Sequence, residues 1–459
     1  MKIDKNYIFD KDSFMKDLFS DYKGEPLYIQ LYMYYRDRII DGSLSHGEKL
    51  PSIRKCSLEF GISKMTVESA YMQLAAEGYV YPKSQSGFYV AEISDFTQSE
   101  KITDIEDEKE ISIPTEFDFS GSTVDIECFD FKLWQKYVKN ALRCEERLLS
   151  YGDPQGEYDL REALSEYATR QRGVLCTPSQ IVIGASVQNL IQLLCSLSKG
   201  SGTVVFEGKS FLQGRAVFED YGFDVINGKE NYIGNNVDFV YVSPSHYGDL
   251  GEVMNISERI KLLNFARKYN SIIIEDDFDS EFCYFSRPVS SMQGLDGGER
   301  VAYIGTMSKL LLPSIRISFM VLPKHLAYAY RQKGSVYNQT ASKTEQIALA
   351  RYIKDQRLVT QIRKSKKLYE HKTALMKSAI ERELCPEKIF VSESGFVVFF
   401  DVLNKENAFL LKEKFRRNGV VVKSLEQLSQ NSVRIFVSSA SVPKNAIENS
   451  VKMLKCLLN

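Results

Sequence analysis

Residues 272–281 read IIIEDDFDSE, and residues 301–309 read VAYIGTMSK. In each stretch a short, unbroken apolar run leads directly into residues that can carry chemistry, carboxylates in the first and a lysine in the second. Unbroken apolar runs of this length are typical of strands that are buried on both faces, as in parallel sheets. Similar runs lie at residues 204–206 and 237–242, and helical patterns separate them. The chain from about residue 117 onward is therefore predicted to be an α/β domain with a mostly parallel sheet and helices on both faces.

The residues that follow these strands can face one pocket, because ligands of open α/β sheets bind at the carboxyl ends of the strands. A lysine amine and a carboxylate are the pair that pyridoxal 5'-phosphate (PLP) requires. The amine forms a Schiff base with the aldehyde, and the carboxylate keeps the pyridine nitrogen protonated. Lys309 offers the amine, and residues 275–281 hold five carboxylates. The alternative interpretation is a solvated acidic loop and an exposed lysine.

The phosphate of such a cofactor needs backbone N–H groups, hydroxyls and a cation. Gly184-Ala185-Ser186, which opens a helix after an apolar run, offers the first two. Arg316, seven residues beyond Lys309, offers the third. The sequence therefore predicts a phosphate site beside the lysine.

The composition of the 459-residue chain limits its class. The chain is 44% hydrophobic and 26% charged with a formal net charge of −1, which is typical of a soluble globular protein of two or three domains. Its eight cysteines form no CxxC pair and it has four histidines, so no structural zinc site is expected. It has neither an N-terminal apolar signal region nor a run of 18 apolar residues. These features predict a cytoplasmic protein without a membrane span.

Three zones of different composition predict the domain boundaries. Residues 20–91 alternate helix and turn signals over the length of a small domain. Residues 92–116 contain nine acidic residues and two lysines, and they are too poor in apolar residues to order themselves, so they are predicted to form a linker. Residues 117–459 carry the α/β pattern.

Within the first zone, the pattern predicts three helices and a hairpin, which is a winged helix. Apolar residues at helical spacing mark the first helix, and serines that can act as N-caps precede the next two: Leu27, Leu31, Tyr35, Ile39, Ser52 and Ser63. The third helix of such a module can enter a major groove while the hairpin touches the DNA backbone. The candidates for phosphate contact are Arg54, Lys55, Lys64 and Lys83. The alternative is a winged helix that binds protein, since residues 1–90 hold 12 Lys+Arg against 12 Asp+Glu.

The motifs of this module resemble, in their order, the GntR family of bacterial repressors. They are Pro26-Leu27-Tyr28-x-Gln30, Leu50-Pro51-Ser52-x-Arg54, Ser63-Lys64-Met65-Thr66-Val67, Ala70-Tyr71-x-x-Leu74 and Glu77-Gly78. The resemblance implies that operator DNA is a partner and that Arg54, Lys64, Thr66 and Gly87 lie at or near it. The family usually has arginine where Lys64 stands, and lysine lacks the planar fork for bidentate guanine recognition.

From Tyr151 onward the chain resembles fold-type I aminotransferases, and most closely the branch fused to GntR domains, the MocR/GabR-type (PdxR-like) regulators. The matching motifs are Tyr151-Gly152-Asp153-Pro154-x-Gly156, Leu160-Arg161, Arg172-Gly173-Val174, Gln180-Ile181, Gly184-x-x-x-Gln188, Ser243-Pro244-Ser245-His246, the acidic run from Glu275 to Phe282, Tyr303-Ile304-Gly305-Thr306-x-Ser308-Lys309, Pro313 and Arg316. The resemblance implies an aminotransferase-like domain with a small C-terminal α+β subdomain, PLP as cofactor, and a homodimer whose sites lie at the subunit interface.

The resemblance also implies roles for individual residues. Lys309 corresponds to the Schiff-base lysine, Asp276 to the partner of the pyridine nitrogen, and Arg434 to the arginine that binds a substrate or effector carboxylate. Further cofactor-binding positions are Ser186, Ala185, Ser308 and Arg316 around the phosphate, Phe211 stacked on the ring, His246, and Tyr151 reaching the phosphate in the partner subunit.

Three departures from the family pattern touch the ligand pocket: Phe278 replaces tyrosine, Tyr247-Gly248-Asp249 replaces Gln-Phe-Pro, and Lys209-Ser210 replaces Pro-Gly. Cofactor binding is expected to survive them better than efficient transamination. The leading hypothesis is a PLP-dependent regulator that binds operator DNA and senses PLP itself or a small amine or amino acid. The alternatives are a working aminotransferase with an accessory winged helix, and a domain that binds no PLP and serves for dimerisation.

Overall fold

The computed structural model describes residues 24–92, 114–198, 202–207, 211–228, 237–245, 247, 252–278, 280–282, 290–392 and 395–458. The chain forms two compact units, Met1–Glu110 and Ile111–Asn459. The predicted acidic linker falls mostly on residues 93–113, which lie outside the described residues. Its last residue, Glu116, donates its backbone N–H to the carbonyl of Gly419 at 2.8 Å and so already belongs to the second unit.

The first unit has the predicted winged-helix elements. They are α1 (Leu27–Ile40), α2 (Ile53–Phe60), α3 (Lys64–Ala76), β1 (Val80–Lys83) and β2 (Gly87–Val90). Ser52 and Ser63 are the N-caps of α2 and α3, accepting hydrogen bonds from the N–H groups of Lys55 and Thr66. Gly61 ends α2 in the left-handed conformation that glycine adopts without strain. The core of this unit comes from apolar side chains of α1 and α3: Leu31, Tyr35, Val67, Ala70, Tyr71 and Leu74.

The second unit is built on a seven-stranded sheet of order β4-β10-β9-β8-β7-β5-β6. Its strands are β4 (Ile181–Gly184), β5 (Thr203–Phe206), β6 (Asp224–Asn227), β7 (Val237–Val242), β8 (Ile272–Asp277), β9 (Val301–Thr306) and β10 (Ser318–Val321). Every pair from β6 to β9 is parallel, and β10 is antiparallel to both of its neighbours. The predicted mostly parallel sheet is confirmed.

Helices connect and cover these strands. They are α4 (Phe131–Leu142), α5 (Glu145–Leu148), α6 (Tyr158–Arg172), α7 (Val187–Leu197), α8 (Leu212–Asp220), α9 (Ile256–Tyr269), α10 (Met292–Asp296), α11 (Lys324–Lys333) and α12 (Lys343–Lys354). The apolar side chains of the sheet pack against them in separate clusters on its two faces, as expected for strands that are buried on both sides.

A smaller α+β part follows at the C-terminal side. It contains α13 (Arg357–Leu384), β11 (Lys388–Val391), β12 (Val397–Leu403), α14 (Ala408–Arg417), β13 (Val420–Val422), β14 (Ser424–Ser429), β15 (Ser432–Ser438) and α15 (Ile447–Leu458). Four of its strands form an antiparallel sheet of order β11-β12-β15-β14. Strand β13 pairs in parallel with β3 (Phe117–Phe119), the first strand of the unit.

In the described part of the chain, no helix is long and apolar enough to cross a membrane.

Candidate functional site

The strand register brings the predicted cofactor residues to one edge of the large sheet. Ser318 at the start of β10 pairs with Gly184 at the end of β4 and with Thr306 at the end of β9. Asp277 at the end of β8 pairs with Gly305. The segments that carry Ala185-Ser186, Arg316, Ser308-Lys309 and Phe278 therefore leave the sheet side by side, at the edge where open α/β sheets bind ligands.

Lys309 lies above an aromatic ring. Its Nζ is 5.3 Å from the centroid of the Phe278 ring, within the range of a cation–π contact. Phe278 is the residue that replaces the family's tyrosine, so at this position the lysine meets an apolar face and no hydroxyl.

Asp276 is buried at the carboxyl end of β8. The hydroxyl of Tyr241, in the adjacent strand β7, donates a hydrogen bond to its carboxylate. Burial, together with the Asp276 charge, raises the pKa of Tyr241 well above its ordinary value, so Tyr241 stays a donor. The carboxylate of Asp276 is thus held in place by a phenol that keeps its own proton and donates it in a hydrogen bond.

Tyr241 is the middle ring of an aromatic stack. Its ring is 4.7 Å from that of Phe206 with 21° between the planes, and 5.8 Å from that of Phe211 with 19°. Gly214 makes room for Phe211, since a Cβ there would lie 2.3 Å from the Phe211 ring. The stack presents Phe211 next to the strand end that carries Asp276.

The groups predicted to hold the phosphate lie on the segments that follow β4 and β9 and that precede β10. Ser186 is the N-cap of this helix and accepts from the N–H of Asn189 at 3.2 Å, while the Ala185 N–H donates to Thr340 Oγ1 at 3.0 Å. Ser318 donates to Thr306 Oγ1 at 3.1 Å, and Thr306 in turn donates to Ser308 Oγ at 3.3 Å. The N-terminus of an 11-residue helix and a row of hydroxyls are groups that can bind an anion.

Two bulky residues of this edge have a left-handed backbone, Phe211 with φ of 65° and Arg316 with φ of 52°. Non-glycine residues in this region cost about 1–3 kcal/mol each and tend to occur at ligand-binding sites. Arg316 is exposed and stands two residues before Ser318, which belongs to the row of hydroxyls.

A buried charge network lies behind the site. Arg172 holds Asp277 by two hydrogen bonds of 2.6 and 3.1 Å, and the Tyr303 hydroxyl donates to the same carboxylate at 2.6 Å. Burial opposes ionisation of Asp277, but the Arg172 charge and these hydrogen bonds outweigh it and lower the pKa of Asp277. Burial and the charge of Asp277 raise the pKa of Glu275 to about 7 and also raise that of Glu281.

Arg434, the predicted carboxylate-binding arginine, lies on β15 and is already paired. It forms a bidentate salt bridge with Asp401 of β12, at 2.7 and 3.0 Å. The two residues face each other across the antiparallel strands. A carboxylate ligand would have to compete with Asp401 for the guanidinium fork.

The predicted DNA-contacting residues lie on one module. Arg54 on α2 and Lys64 at the start of α3 are exposed, and Thr66 is half-buried with its hydroxyl 2.8 Å from that of Ser63. Lys83 and Gly87 face each other across the hairpin, where Gly87 has a φ of 111° that favours glycine.

Comparison with known proteins identifies both modules. Residues 27–90 match the model of the gntR family of bacterial regulatory proteins, and residues 130–454 match aminotransferase class I and II. The HTH-type transcriptional regulator YdeL of Bacillus subtilis (strain 168), itself uncharacterized, is 36% identical over 94% of this chain and 96% of its own length. The chain belongs to the GntR-type transcription regulators that carry an aminotransferase class I and II domain.

A second regulator and one solved structure are also similar to this chain. The probable rhizopine catabolism regulatory protein MocR of Rhizobium meliloti is 28% identical over 78% of each chain. The kynurenine aminotransferase of Pyrococcus horikoshii, solved in complex with PMP, shares the fold of the second unit with a TM-score of 0.63, 22% identity, and coverage of 74% of this chain and 90% of its own. The predicted MocR/GabR-type resemblance and fold class are confirmed.

Two predicted cofactor-binding residues of the regulator remain, Tyr151 and His246. Tyr151 is fully exposed on the second unit, on a segment that is distant from Lys309 in the sequence. His246 lies outside the described residues, as do Lys209, Ser210, Gly248 and Asp249.

Sequence reasoning missed three partners in this regulator: Tyr241 for Asp276, Arg172 for Asp277, and Asp401 for Arg434. Arg172 had a signal, since it stands in one of the matching motifs. Nothing in the local sequence marks Tyr241 or Asp401, which lie 35 and 33 residues from their partners.

Proposed function

We propose that this chain is a PLP-dependent transcription regulator, which binds operator DNA through its winged helix and senses PLP or a small amine or amino acid through Lys309. The observation that carries the proposal is the convergence of Lys309, Asp276, Ser186, Ser308 and Arg316 on one sheet edge in a chain with a GntR module.

The donor set fits PLP. It contains an amine, a buried carboxylate held by a phenol, an aromatic ring, and a helix N-terminus with hydroxyls and an arginine. When bound, PLP supplies an aldehyde that a lysine or an incoming amine can capture. Aminotransferases of this fold are PLP-dependent, and the Pyrococcus relative contains PMP.

Each residue then has a defined task. Asp276, fixed by Tyr241, would accept a hydrogen bond from a protonated pyridine nitrogen. Ser186, Ser308 and Arg316 would bind the phosphate, and Phe211 would cover one face of the ring. Lys309 would hold the aldehyde carbon and would leave it as a free amine when an incoming amine takes its place, and that exchange would be the differential interaction that a ligand-driven switch requires.

Two features favour sensing over turnover. Phe278 offers no hydroxyl to the cofactor beside Lys309. Arg434, which would bind a substrate carboxylate, is held by Asp401. The rival function is an active aminotransferase, which would turn over amino donors with a keto acid.

The first experiment is an absorbance titration of the purified protein with PLP. The wild type should gain the band of a lysine-linked cofactor, and Lys309→Ala should not, while Lys324→Ala, a change at an exposed lysine, should behave as wild type. An unchanged band in Lys309→Ala would disprove the assignment. Sustained turnover with amino donors would favour the enzyme, and no band in the wild type would favour a domain used only for dimerisation.

The second experiment measures operator binding by gel shift. Arg54→Ala should weaken binding without changing PLP absorbance, because Arg54 is an exposed phosphate-contact candidate. The control is Arg38→Ala, an exposed arginine on α1. Full retention of affinity in Arg54→Ala would contradict its role at the DNA.

A further inference from the structure

The N-terminal half of α13, on the aminotransferase-like unit, is strongly basic. Residues 357–372 contain six Lys+Arg and a single acidic residue, Glu370. Arg363, Lys364 and Lys367 are all exposed. We call these three residues the basic face.

The orientation of the basic face is fixed by packing. Leu358, Ile362 and Tyr369 on the opposite side of the helix belong to the core cluster of the unit. The helix therefore cannot rotate to hide its cations, and the exposed side chains keep their direction.

The basic face also lacks internal compensation. Lys354 pairs with Glu162 at 2.6 Å and Lys377 with Glu381 at 3.7 Å, on either side of it along the chain. Within the described part of the chain, no carboxylate lies within 4.0 Å of the side-chain nitrogens of Arg363, Lys364 or Lys367. Three cations on about one turn of helix then repel one another unless an anionic partner is present.

The winged-helix unit, by contrast, has no positive excess. Residues 24–92 contain seven Lys+Arg and eight Asp+Glu. Phosphate contacts supply most of the sequence-independent affinity of DNA-binding proteins, so a module without positive excess gains from cations elsewhere on the chain.

We propose that the basic face binds backbone phosphates of duplex DNA, in addition to the contacts of the winged helix. From residue 363 to 367 the helix rises about 6 Å, which is close to the axial span of about 7 Å that three successive phosphates cover along one DNA strand. This inference rests on the proposed DNA-binding function and is independent of the cofactor.

The helix does not suit a membrane surface. An interfacial helix needs an exposed apolar face, and the apolar face of α13 is buried in the core. Among the described residues of α13, Leu375 is the one exposed large apolar side chain, and it lies outside the basic half.

The test uses the full-length protein and a 60-base-pair duplex of mixed sequence, with anisotropy titrations over a series of salt concentrations. The slope of log K against log salt is negative, and R363Q/K364Q/K367Q should reduce its magnitude by about 2.7, since each phosphate contact contributes about 0.9. At about 0.1 M salt its Kd should rise at least tenfold. The charge-conserving R363K/K364R/K367R should keep the wild-type slope.

The matched control is K324Q/K354Q/K414Q, which removes three cations that pair with Glu299, Glu162 and Glu406. This control changes the net charge by the same amount as R363Q/K364Q/K367Q. It should nevertheless keep the wild-type slope, because the basic face is intact. An equal loss in this control would mean that net charge alone acts, and the proposal would be wrong.

Three further outcomes would overturn the inference. One is an unchanged slope in R363Q/K364Q/K367Q while Arg54→Ala still weakens binding, which would leave the winged-helix function standing. Another is a loss of slope that accompanies a change in oligomeric mass by light scattering, which would make the face a subunit contact. The last is wild-type binding to phosphatidylserine vesicles with no affinity for the duplex.

Discussion

Replacing Tyr241 by phenylalanine removes one hydroxyl from the candidate cofactor site and leaves the rest of the side chain. The ring should stay between Phe206 and Phe211, because the stacking distances do not involve the hydroxyl. Among the described residues, the hydroxyl has one hydrogen bond to lose, the one to the Asp276 carboxylate.

The expected loss of stability follows from the burial of both residues. Tyr241 is 3% and Asp276 6% exposed, so little water can replace the lost donor. A hydrogen bond to a charged group contributes about 1.5–3 kcal/mol, and we expect the free energy of unfolding of the PLP-free protein to fall by about that amount. With saturating PLP the loss should be smaller, because a protonated pyridine nitrogen would give Asp276 a further donor.

The assay is urea unfolding followed by circular dichroism, without and with PLP. Tyr303→Phe is the matched control, since Tyr303 is also buried and donates to the neighbouring carboxylate, Asp277, at 2.6 Å. Its loss of stability should be similar but insensitive to PLP. The reasoning is refuted if Tyr241→Phe is as stable as wild type, or if PLP restores the two variants equally.

Three other changes test neighbouring parts of the unit. Asp401→Asn should release Arg434 and lower the Kd of a carboxylate effector about tenfold in calorimetric titrations, which corresponds to about 1.4 kcal/mol of binding free energy. An unchanged Kd would mean that the carboxylate binds elsewhere. Glu275→Gln should flatten the pH dependence of the free energy of unfolding. Folding raises the pKa of Glu275 from 4.5 to about 7, so the protonated carboxyl stabilises the folded state fully below pH 4.5. This stabilisation is lost as the pH rises to 7, by at most about 1.4 kcal/mol for each pH unit. Lys372→Met should lower the free energy of unfolding by about 3–5 kcal/mol, because it leaves Asp125 buried without its partner, and thermal melts that match the wild type would contradict this.

Local sequence patterns were sufficient for the elements of the fold. Ser52 and Ser63 precede helices and cap them, because a serine side chain can accept from the N–H three residues on. The apolar runs at 272–274 and 301–304 form central strands because both faces of the sheet are covered. Such signals depend on neighbours within a few residues and need no knowledge of topology.

The partners within the site were beyond local reasoning. Arg172 and Asp277 are 105 residues apart and meet because α6 packs on the sheet. Tyr241 meets Asp276 because β7 and β8 are adjacent strands, and strand order is a property of the whole fold. Family resemblance supplied the roles of Lys309 and Asp276, but not the groups that orient them.

The period of a strand explains what the acidic run after residue 274 does. Side chains alternate between the two faces of β8, so Asp276 lies on the face of Tyr241, whereas Glu275 and Asp277 lie on the other. Glu275 accepts from the N–H groups that begin α10, and Asp277 is held by Arg172. All three carboxylates are buried, so this part of the acidic run is not a solvated loop. The two carboxylates beside Asp276 thus hold the strand end in place, and substitutions at Glu275 or Asp277 should act on the candidate site through stability and not through ligand contact.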